Sequence, residues 1–242
     1  MSETFPSPVL VVSAHAADFV WRSAGYIARS TASGGQVHVV CLSFGERGES
    51  QGAWRQPGMT LEKVKEIRRR EAERAGAVLG AQVAFFDQGD YPLPDNDEIL
   101  NLLVEALRTV QPAVILTHSQ VDPYNYDHPR AADLTLRARM VAQAVGYPSA
   151  QPPLGAPPVF RFEPHQPEMC DFRPDVLVDI TSVMERKEEA MAAMGSQEHM
   201  PEYYRDLAKR RAVQAVRNGG SKSIKFAEAY QRVFPQVSEV LR

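Results

Sequence analysis

The chain has 242 residues, is 44% hydrophobic and carries a formal net charge of -3. A chain of this length and composition can bury one sizeable core, so we expect a single domain over residues 1–242. The weakly acidic balance argues against a nucleic acid or an anionic membrane as partner, and it leaves a small acidic ligand open.

The two cysteines, Cys41 and Cys170, are too few for a disulfide framework or a cysteine-based metal cluster. The N-terminal stretch MSETFPSPVL has no basic region ahead of its apolar run. No stretch reaches the roughly 18 apolar residues that cross a bilayer. We therefore expect a soluble protein of the reducing cytoplasm.

Short apolar runs alternate with helical patterns along the first 145 residues. The predicted strands are PVLVVSAH, QVHVVCLS, QVAFFD and AVILTHS, and the predicted helices cover about 18–32, 60–79, 95–110 and 129–145. Near-continuous apolar strands are typical of a parallel sheet with helices on both faces. The succession predicts an α/β fold of the Rossmann-like, mostly parallel, doubly wound type.

The later part of the chain is expected to extend the same domain. The Pro- and Gly-rich segment 147–158 reads as an internal connection, and two further strands, VFRFEP and DVLVDI, follow it. Residues 181–217 look mostly helical, with RNGGSKS as a flexible break before FAEAYQRVF. The Met- and Ala-rich helix at 188–196 suits core packing or an interface, so a homo-oligomer stays open.

Polar residues of two distant segments are expected to meet at one edge of the sheet. His15 ends the first strand, and the segment after the fourth strand, HSQVDPYNYDHP, carries His118, Asp122, Asp127 and His128. The usual strand order places these two strands side by side at the point where the order reverses, which is where ligands bind in such sheets.

His15, Asp18 and His128 are the predicted metal ligands. Two imidazoles and one carboxylate suit Zn²⁺ and leave a fourth position for water or substrate, although another divalent metal stays open. The alternative is structural, because HxxD is a common pattern: His15 and Asp18 would form a hydrogen-bonded pair capping the next helix, with His128 a loop residue.

Three ordered motifs resemble a known family. VVSAHAADFVWRSAGYIA, LSFGERGES and DPYNYDHP resemble the PIG-L/LmbE-like metal-dependent deacetylases, which are Rossmann-like zinc proteins. The family's first motif usually reads His-Pro-Asp-Asp, in which the first Asp is the general base and the second binds the metal. The resemblance assigns His15, Asp18 and His128 to the metal and places Ala17 at the position of the base, where alanine can take no proton.

Because Ala17 replaces the Asp that the family usually has, the resemblance is closer to one subgroup of the family than to its deacetylases. SAHAADFVWR, SFGERGES, FEPHQPE and DITSVMERKEEAMAAM are similar to a hydratase subgroup of the family, which acts in the bacterial degradation of gallate and related aromatic acids. The resemblance implies a hydro-lyase that adds water to the C=C bond of 4-oxalomesaconate and yields 4-carboxy-4-hydroxy-2-oxoadipate. Two alternatives stay open: an N-deacetylase with Glu49 or Asp127 as a relocated base, and a noncatalytic binder of metal or small acids.

Within this resemblance, Glu49 is the expected base for the incoming water and His165 the expected acid that protonates carbon. Glu46 is the reserve base, and Glu163 and Glu168 are expected to raise the pKa of His165. Each of these groups could instead be a solvated loop residue or a structural one.

A tricarboxylate substrate needs cationic or hydrogen-bonding partners. Arg47 is the first choice because it lies between the two loop glutamates. The weaker choices are Arg22, Tyr124 and Asn125. Asp127 is expected to orient His128 from behind the metal site.

Overall fold

The structure is a computed structural model, and it describes residues 5–239. The strands are β1 (Val9–Ser13), β2 (Val37–Cys41), β3 (Gln82–Phe85), β4 (Val114–Thr117), β5 (Val159–Phe162), β6 (Val176–Asp179) and β7 (Ala227–Arg232). The helices are α1 (Asp18–Ala32), α2 (Gln51–Trp54), α3 (Leu61–Leu79), α4 (Asp97–Val110), α5 (Asp127–Ala142), α6 (Met184–Ala192) and α7 (Met200–Arg217). Three short 3-10 turns lie at Pro167–Met169, Thr181–Val183 and Gly195–Gln197.

The seven strands form one sheet in the order β3-β2-β1-β4-β5-β7-β6. The five strands β1 to β5 pair in parallel, whereas β7 is antiparallel to both of its neighbours. β1 lies between β2 and β4, so the strand order reverses there as predicted. The mostly parallel, doubly wound α/β fold is confirmed.

Helices cover both faces of this sheet because its central strands are apolar on both sides. All five residues of β1 are buried. One core cluster packs α1, α3, α6 and α7 against the sheet, and a second packs α4 and α5 against the other face. Met191 and Met194 of the Met- and Ala-rich segment lie buried in the first cluster, so they serve core packing within the chain.

Two boundaries differ from the sequence expectations in ways that matter for the site. α5 begins at Asp127, which places His128 in the first turn of a helix and not in a loop. The predicted helical region 181–217 is divided into α6 and α7 by the turn Gly195–Gln197. In addition, the segment FAEAYQRVF, for which we predicted no element, supplies β7 inside the sheet.

Among the helices of residues 5–239, none combines the length and the apolarity needed to cross a membrane.

Candidate active site

The site begins where β1 ends and α1 starts. His15 and Asp18 are both buried, and Asp18 Oδ2 accepts a hydrogen bond of 2.8 Å from the backbone N–H of His15. This contact makes His15 and Asp18 a hydrogen-bonded pair, as the structural alternative predicted, but Asp18 does not cap the helix, because α1 has no side-chain cap hydrogen bond. The other oxygen of the carboxylate, Oδ1, faces His128 Nε2 at 3.4 Å. Asp18 therefore contacts the backbone of His15 and also faces His128 across the crevice.

The imidazoles of His15 and His128 each lie at ligand spacing from one oxygen of Asp18, and the groups of donors that lie within 4.8 Å of one another are His15, Glu49 and His128, and Asp18, His118 and His128. His15 Nδ1 lies 3.3 Å from Asp18 Oδ2, and His128 Nε2 lies 3.4 Å from Asp18 Oδ1. Two ligands about 2.0–2.1 Å from a tetrahedral zinc ion are separated by about 3.4 Å. Both imidazole nitrogens are buried and have no hydrogen-bond partner among the described residues. The three side chains thus fit a metal ion.

Two carboxylates fix the imidazoles from behind. His128 Nδ1 contacts Asp122 Oδ2 at 2.8 Å, and His15 Nε2 contacts Asp127 Oδ2 at 3.2 Å. Asp127 also accepts hydrogen bonds from the backbone N–H groups of Tyr91 and Leu93. The prediction that Asp127 orients His128 is wrong, because Asp127 contacts His15. The carboxylate that contacts His128 is that of Asp122. Such partners set which ring nitrogen is free to bind a metal.

The electrostatics of the cluster favour a bound cation. Burial alone would raise the pKa of Asp18, but the neighbouring imidazoles of His118 and His128 hold it well below its usual range. Burial lowers the pKa of His15, and the carboxylates of Asp127 and Asp18 outweigh burial and raise it to about 10. Without a metal, a proton on His15 therefore balances the buried carboxylates. A divalent cation would take over that role.

His118 is a third buried imidazole beside the cluster. Its Nε2 accepts a hydrogen bond of 2.9 Å from the backbone N–H of Ala14, and its ring stacks on His128 with centroids 4.3 Å apart. Burial and the neighbouring His128 lower its pKa to about 3. His118 lies at ligand spacing from Asp18 and His128, but its Nε2 lone pair is already engaged by the N–H of Ala14, so we assign it to packing.

Glu49 reaches the metal-capable nitrogens from the loop after β2. One of its carboxylate oxygens and one nitrogen each of His15 and His128 lie within 4.8 Å of one another. The loop needs two glycines for this approach. Gly45 has φ +69 and would bring a Cβ to 3.1 Å from the Cβ of His15, and a Cβ on Gly48 would meet the Tyr91 ring at 2.1 Å.

Three side chains hold the Glu49 carboxylate. Oε1 accepts hydrogen bonds from Asn125 Nδ2 at 2.8 Å and from the Tyr91 hydroxyl at 3.4 Å. Oε2 accepts one from Gln197 Nε2 at 2.9 Å. All three partners donate to Glu49, so both of its carboxylate oxygens are held in place by hydrogen bonds. Asn125, predicted to bind substrate, in fact contacts Glu49.

Glu46, the reserve base, lies in a different environment. It is fully buried, and its Oε2 accepts a hydrogen bond from the backbone N–H of Phe44. Burial raises its pKa, and the carboxylate of Asp90 raises it further. Glu46 does not line the cleft that Glu49 faces. It is therefore no substitute for Glu49.

A cleft of about 260 Å³ opens beside these residues. Its lining residues are Arg22, Gly48, Glu49, Gln51, Tyr91, Asp122, Tyr124, Asn125, His128, His165, Gln166, Gln197, His199 and Met200. The lining combines the metal-capable His128 with Glu49 and with residues of the C-terminal half. The volume and the polar wall suit a small organic acid.

His165, the expected acid, lies on this wall, but its electrostatics differ from the expectation. Burial lowers its pKa, and the nearby Arg22 lowers it further. Glu163, which was expected to raise it, is held by Arg211, whose Nε donates to both carboxylate oxygens at 3.0 and 2.9 Å. Glu168 is not among the causes of the shift. The His165 ring packs on Tyr203, with centroids 4.1 Å apart.

Of the two arginines that were predicted to bind substrate, one lines the cleft and the other lies outside it. Arg22 is buried at the base of the cleft, with its Nε 3.5 Å from Asp18 Oδ1. Arg47 is exposed outside the cleft and donates to the backbone carbonyl of Asp90 at 2.7 Å. The first choice for a substrate contact is therefore wrong, because the loop turns Arg47 away. Tyr124 lies on the cleft wall with 59% of its surface exposed.

Sequence reasoning missed the cleft residues that follow α6. Gln197 and His199 both line the cleft, and Gln197 contacts Glu49 directly. The signal was weak: the polar run GSQEH interrupts the predicted helical region 181–217, and no pattern links it to a distant loop. Asp122 was seen in the right segment, but its contact with His128 depends on the turn before α5.

A comparison with protein families identifies the family to which the chain belongs. The family described as GlcNAc-PI de-N-acetylase, PIG-L, matches residues 10–139, which include all of the metal-capable set. The chain belongs to the PIG-L family. Within this family's fold, Ala17 is 2% exposed and lies in the apolar core cluster beside α1.

A curated relative and a solved structure, both named as a hydratase from Pseudomonas putida KT2440, are similar to this PIG-L protein over almost its whole length. A Pseudomonas putida relative named 4-oxalmesaconate hydratase is 54% identical over 235 residues, which are 96% of this chain and 91% of that one. The solved structure of GalB, the 4-carboxy-2-hydroxymuconate hydratase from Pseudomonas putida KT2440, superposes with a TM-score of 0.94 at 52% identity. It covers 98% of this chain and 100% of the other.

Deacetylases of the PIG-L family are more distant. The N,N'-diacetylchitobiose deacetylase from Pyrococcus horikoshii superposes with a TM-score of 0.78 at 22% identity, over 93% of this chain and 83% of that one. This likeness supports the shared fold. Sequence identity separates the deacetylase from the hydratase comparisons: the deacetylase shares the architecture at 22% identity, whereas the hydratase comparisons reach 52–54% identity.

Proposed function

We propose that this protein is a metal-dependent hydro-lyase that adds water to the C=C bond of 4-oxalomesaconate and yields 4-carboxy-4-hydroxy-2-oxoadipate, in the catabolism of gallate and related aromatic acids. One observation carries the proposal: the position of the deacetylase base holds the buried Ala17, while Glu49 presents a carboxylate to the metal-capable nitrogens from another loop. The curated and the solved hydratase comparisons, both from Pseudomonas putida KT2440, support the substrate.

The names of the two similar hydratases refer to one substrate in two tautomeric forms. 4-Oxalomesaconate is the keto form of a tricarboxylic acid, and 4-carboxy-2-hydroxymuconate is its enol form. In both, the carbon that receives the hydroxyl group carries a carboxylate, and the double bond is conjugated. Hydration needs a base for the water and an acid for the carbon, and no amine leaves.

Each proton transfer of the hydration is assigned to a residue that lines the cleft. Glu49 removes a proton from the incoming water, whose oxygen bonds to the alkene carbon that carries no hydrogen. The π electrons of the C=C bond form a new C–H bond at the neighbouring carbon, with the proton supplied by His165. Glu49 later returns its proton to His165 through solvent, so the sum is one water added and no oxidation. Arg22 pairs with a substrate carboxylate, and Tyr124 shields one side of the cleft.

The metal that these residues would hold is zinc, bound by His15, Asp18 and His128. Two imidazoles and one carboxylate with an open fourth position are typical of catalytic zinc sites. When bound, zinc supplies Lewis-acid chemistry, by polarising a substrate oxygen or lowering the pKa of a water. Asp122 and Asp127 keep the two imidazoles in the orientation that such binding requires.

The test uses the zinc-loaded protein and the unsaturated tricarboxylate. Hydration removes the conjugation, so the ultraviolet absorbance should fall, and mass spectrometry should show the addition of one water. An unchanged spectrum and mass at high enzyme concentration would reject the proposal. A bound but unaltered tricarboxylate would identify the protein as a noncatalytic binder.

A deacetylase is the second candidate, because the PIG-L family is described by that reaction. In this case Glu49 would serve as the relocated base, or Asp127 would replace it. Asp127 is poorly suited, since it already accepts three hydrogen bonds from His15, Tyr91 and Leu93. Acetate release from N-acetylated sugars without loss of the ultraviolet band would favour this candidate.

A further inference from the structure

Gln197 has an amide group with only one allowed orientation. Its Oε1 accepts hydrogen bonds from Trp21 Nε1 and from Arg68 Nη2, both at 3.2 Å. An indole N–H and a guanidinium can only donate, so the amide oxygen must face them. The amide nitrogen is thereby turned toward Glu49 Oε2, which it reaches at 2.9 Å.

The backbone around Gln197 is fixed by a buried ion pair on α3. Arg68 is fully buried, donates to the carbonyl of Phe44, and pairs with Glu71 at 2.7 Å. Glu71 Oε1 in turn accepts from the backbone N–H and the hydroxyl of Ser196, at 2.7 and 2.8 Å. The turn that carries Gln197 is therefore held against α3 by side chains that do not touch the cleft.

The other oxygen of Glu49 meets a second amide that is fixed in the same way. Asn125 Oδ1 accepts from the backbone N–H of Asp127 at 3.0 Å, so Asn125 Nδ2 must face Glu49 Oε1. Glu49 thus lies between two donors, one from the loop before α5 and one from the turn after α6. The rotation of its carboxylate is set by residues distant in sequence.

We propose that Gln197 is a positioning residue for Glu49: its amide, locked by Arg68 and Trp21, keeps the carboxylate turned toward the nitrogens of His15 and His128. This inference rests on the proposed function, in which Glu49 is the base. Gln197 lies outside residues 10–139, the part of the chain that the family description matches. The C-terminal half therefore supplies the support that a base at position 49 needs.

The first test compares Gln197→Leu and Gln197→Glu in the zinc-loaded enzyme. Both remove the donor to Glu49, so kcat should fall about 10- to 100-fold with little change in KM, because misplacing a reacting group by about 1 Å costs on that order. Gln197→Glu keeps the shape and the acceptor for Trp21 and Arg68. A purely structural role would therefore leave Gln197→Glu close to the wild-type kcat, and this result would overturn the proposal.

The matched control is Gln143→Leu at the end of α5, where the amide donates to the carbonyl of Arg139. Its kcat and KM should equal those of the wild type. In a Glu49→Gln background, Gln197→Leu should cause no further loss of the residual rate, since its effect passes through Glu49. Equal losses in both backgrounds would mean that Gln197 acts independently of Glu49.

A crystal structure of Gln197→Leu gives a readout that needs no turnover. The Glu49 carboxylate should be rotated or disordered, while the turn at Ser196 keeps its contacts with Glu71. A Glu49 carboxylate in the wild-type position would overturn the proposal. If the wild-type enzyme does not hydrate the tricarboxylate at all, the proposed function fails, and this structure still decides whether Gln197 positions Glu49.

Discussion

The metal-capable set and the proposed acid-base groups around it are built in different ways. His15 follows β1, Asp18 begins α1 and His128 lies in the first turn of α5; all three are buried, and Asp18 lies 3.3–3.4 Å from each histidine. Glu49 and His165 come from loops, are partly exposed to the cleft, and depend on neighbours from both halves of the chain.

This difference suggests how one fold serves two reactions. The geometry of the buried set depends on the central strands, which a deacetylase of the same fold shares. The groups proposed to move protons lie on loops, where residues can change without disturbing the core. Under the proposed function, the base is at position 49, while position 17 holds an alanine.

Loss of the metal set should have the largest effect. His15→Ala and His128→Ala should each lose bound zinc, measured by elemental analysis, and lose activity by at least about a thousandfold, since a metal supplies several kcal/mol to such a transition state. His38→Gln in β2 is the control and should keep both. A full zinc complement in either alanine variant would remove that histidine from the ligand set.

The pH dependence of kcat/KM should show whether His165 is the general acid. His165 has a lowered pKa in the free enzyme, so its protonated form is lost as the pH rises through a value below 6.5, and kcat/KM should fall there. The bound carboxylates favour the protonated imidazole, so the corresponding limb of kcat should lie at higher pH.

His165→Asn is the variant that checks this assignment. It should lower kcat by about a hundredfold or more and should remove the alkaline limb of kcat/KM, because general acids contribute about 10²–10⁴. An alkaline limb that persists unchanged in the variant would show that another group donates the proton.

The carboxylates behind the imidazoles should have an intermediate effect. Asp122→Ala removes the partner of His128 Nδ1, and we expect zinc affinity to fall about 10- to 100-fold. Competition with a chelator measures this affinity. The control is Asp133→Ala, an exposed position on α5. Equal affinities for the two variants would mean that the contact with Asp122 does not orient His128 for the metal.

The two arginines should show the smallest and most selective effects. Arg22→Gln should raise KM about tenfold or more, because a charge-assisted hydrogen bond contributes about 1.5–3 kcal/mol. Arg47→Gln should change KM by less than about twofold, since Arg47 lies outside the cleft. A larger KM effect at Arg47 than at Arg22 would reverse this assignment.

Much of the fold follows from the sequence, because the apolar strands and the amphipathic helices have strong periodic patterns. The strand order at β1 and β4 was predicted from the general behaviour of parallel sheets. β7 was missed, since AEAYQR has no continuous apolar run and its two neighbours in the sheet are distant in sequence.

The site could be predicted only where chemistry is carried by short motifs. His15, Asp18 and His128 were placed by spacing and by the family resemblance, and the structure brings them together. The role of Arg47 was wrong and that of Gln197 was missed, because loop direction and amide contacts depend on tertiary packing. The lowered pKa of His165 has the same origin, since it comes from burial and from the nearby Arg22.

The most direct test of the account compares wild-type protein with Glu49→Gln at equal zinc content. The account predicts rapid loss of the ultraviolet absorbance of the tricarboxylate with the wild type, and a rate lower by about 10²–10⁴ with the variant, since Gln cannot take the proton of water. Glu62→Gln, an exposed change on α3, should match the wild type. Hydration by Glu49→Gln at the wild-type rate would contradict the claim that the base lies at position 49.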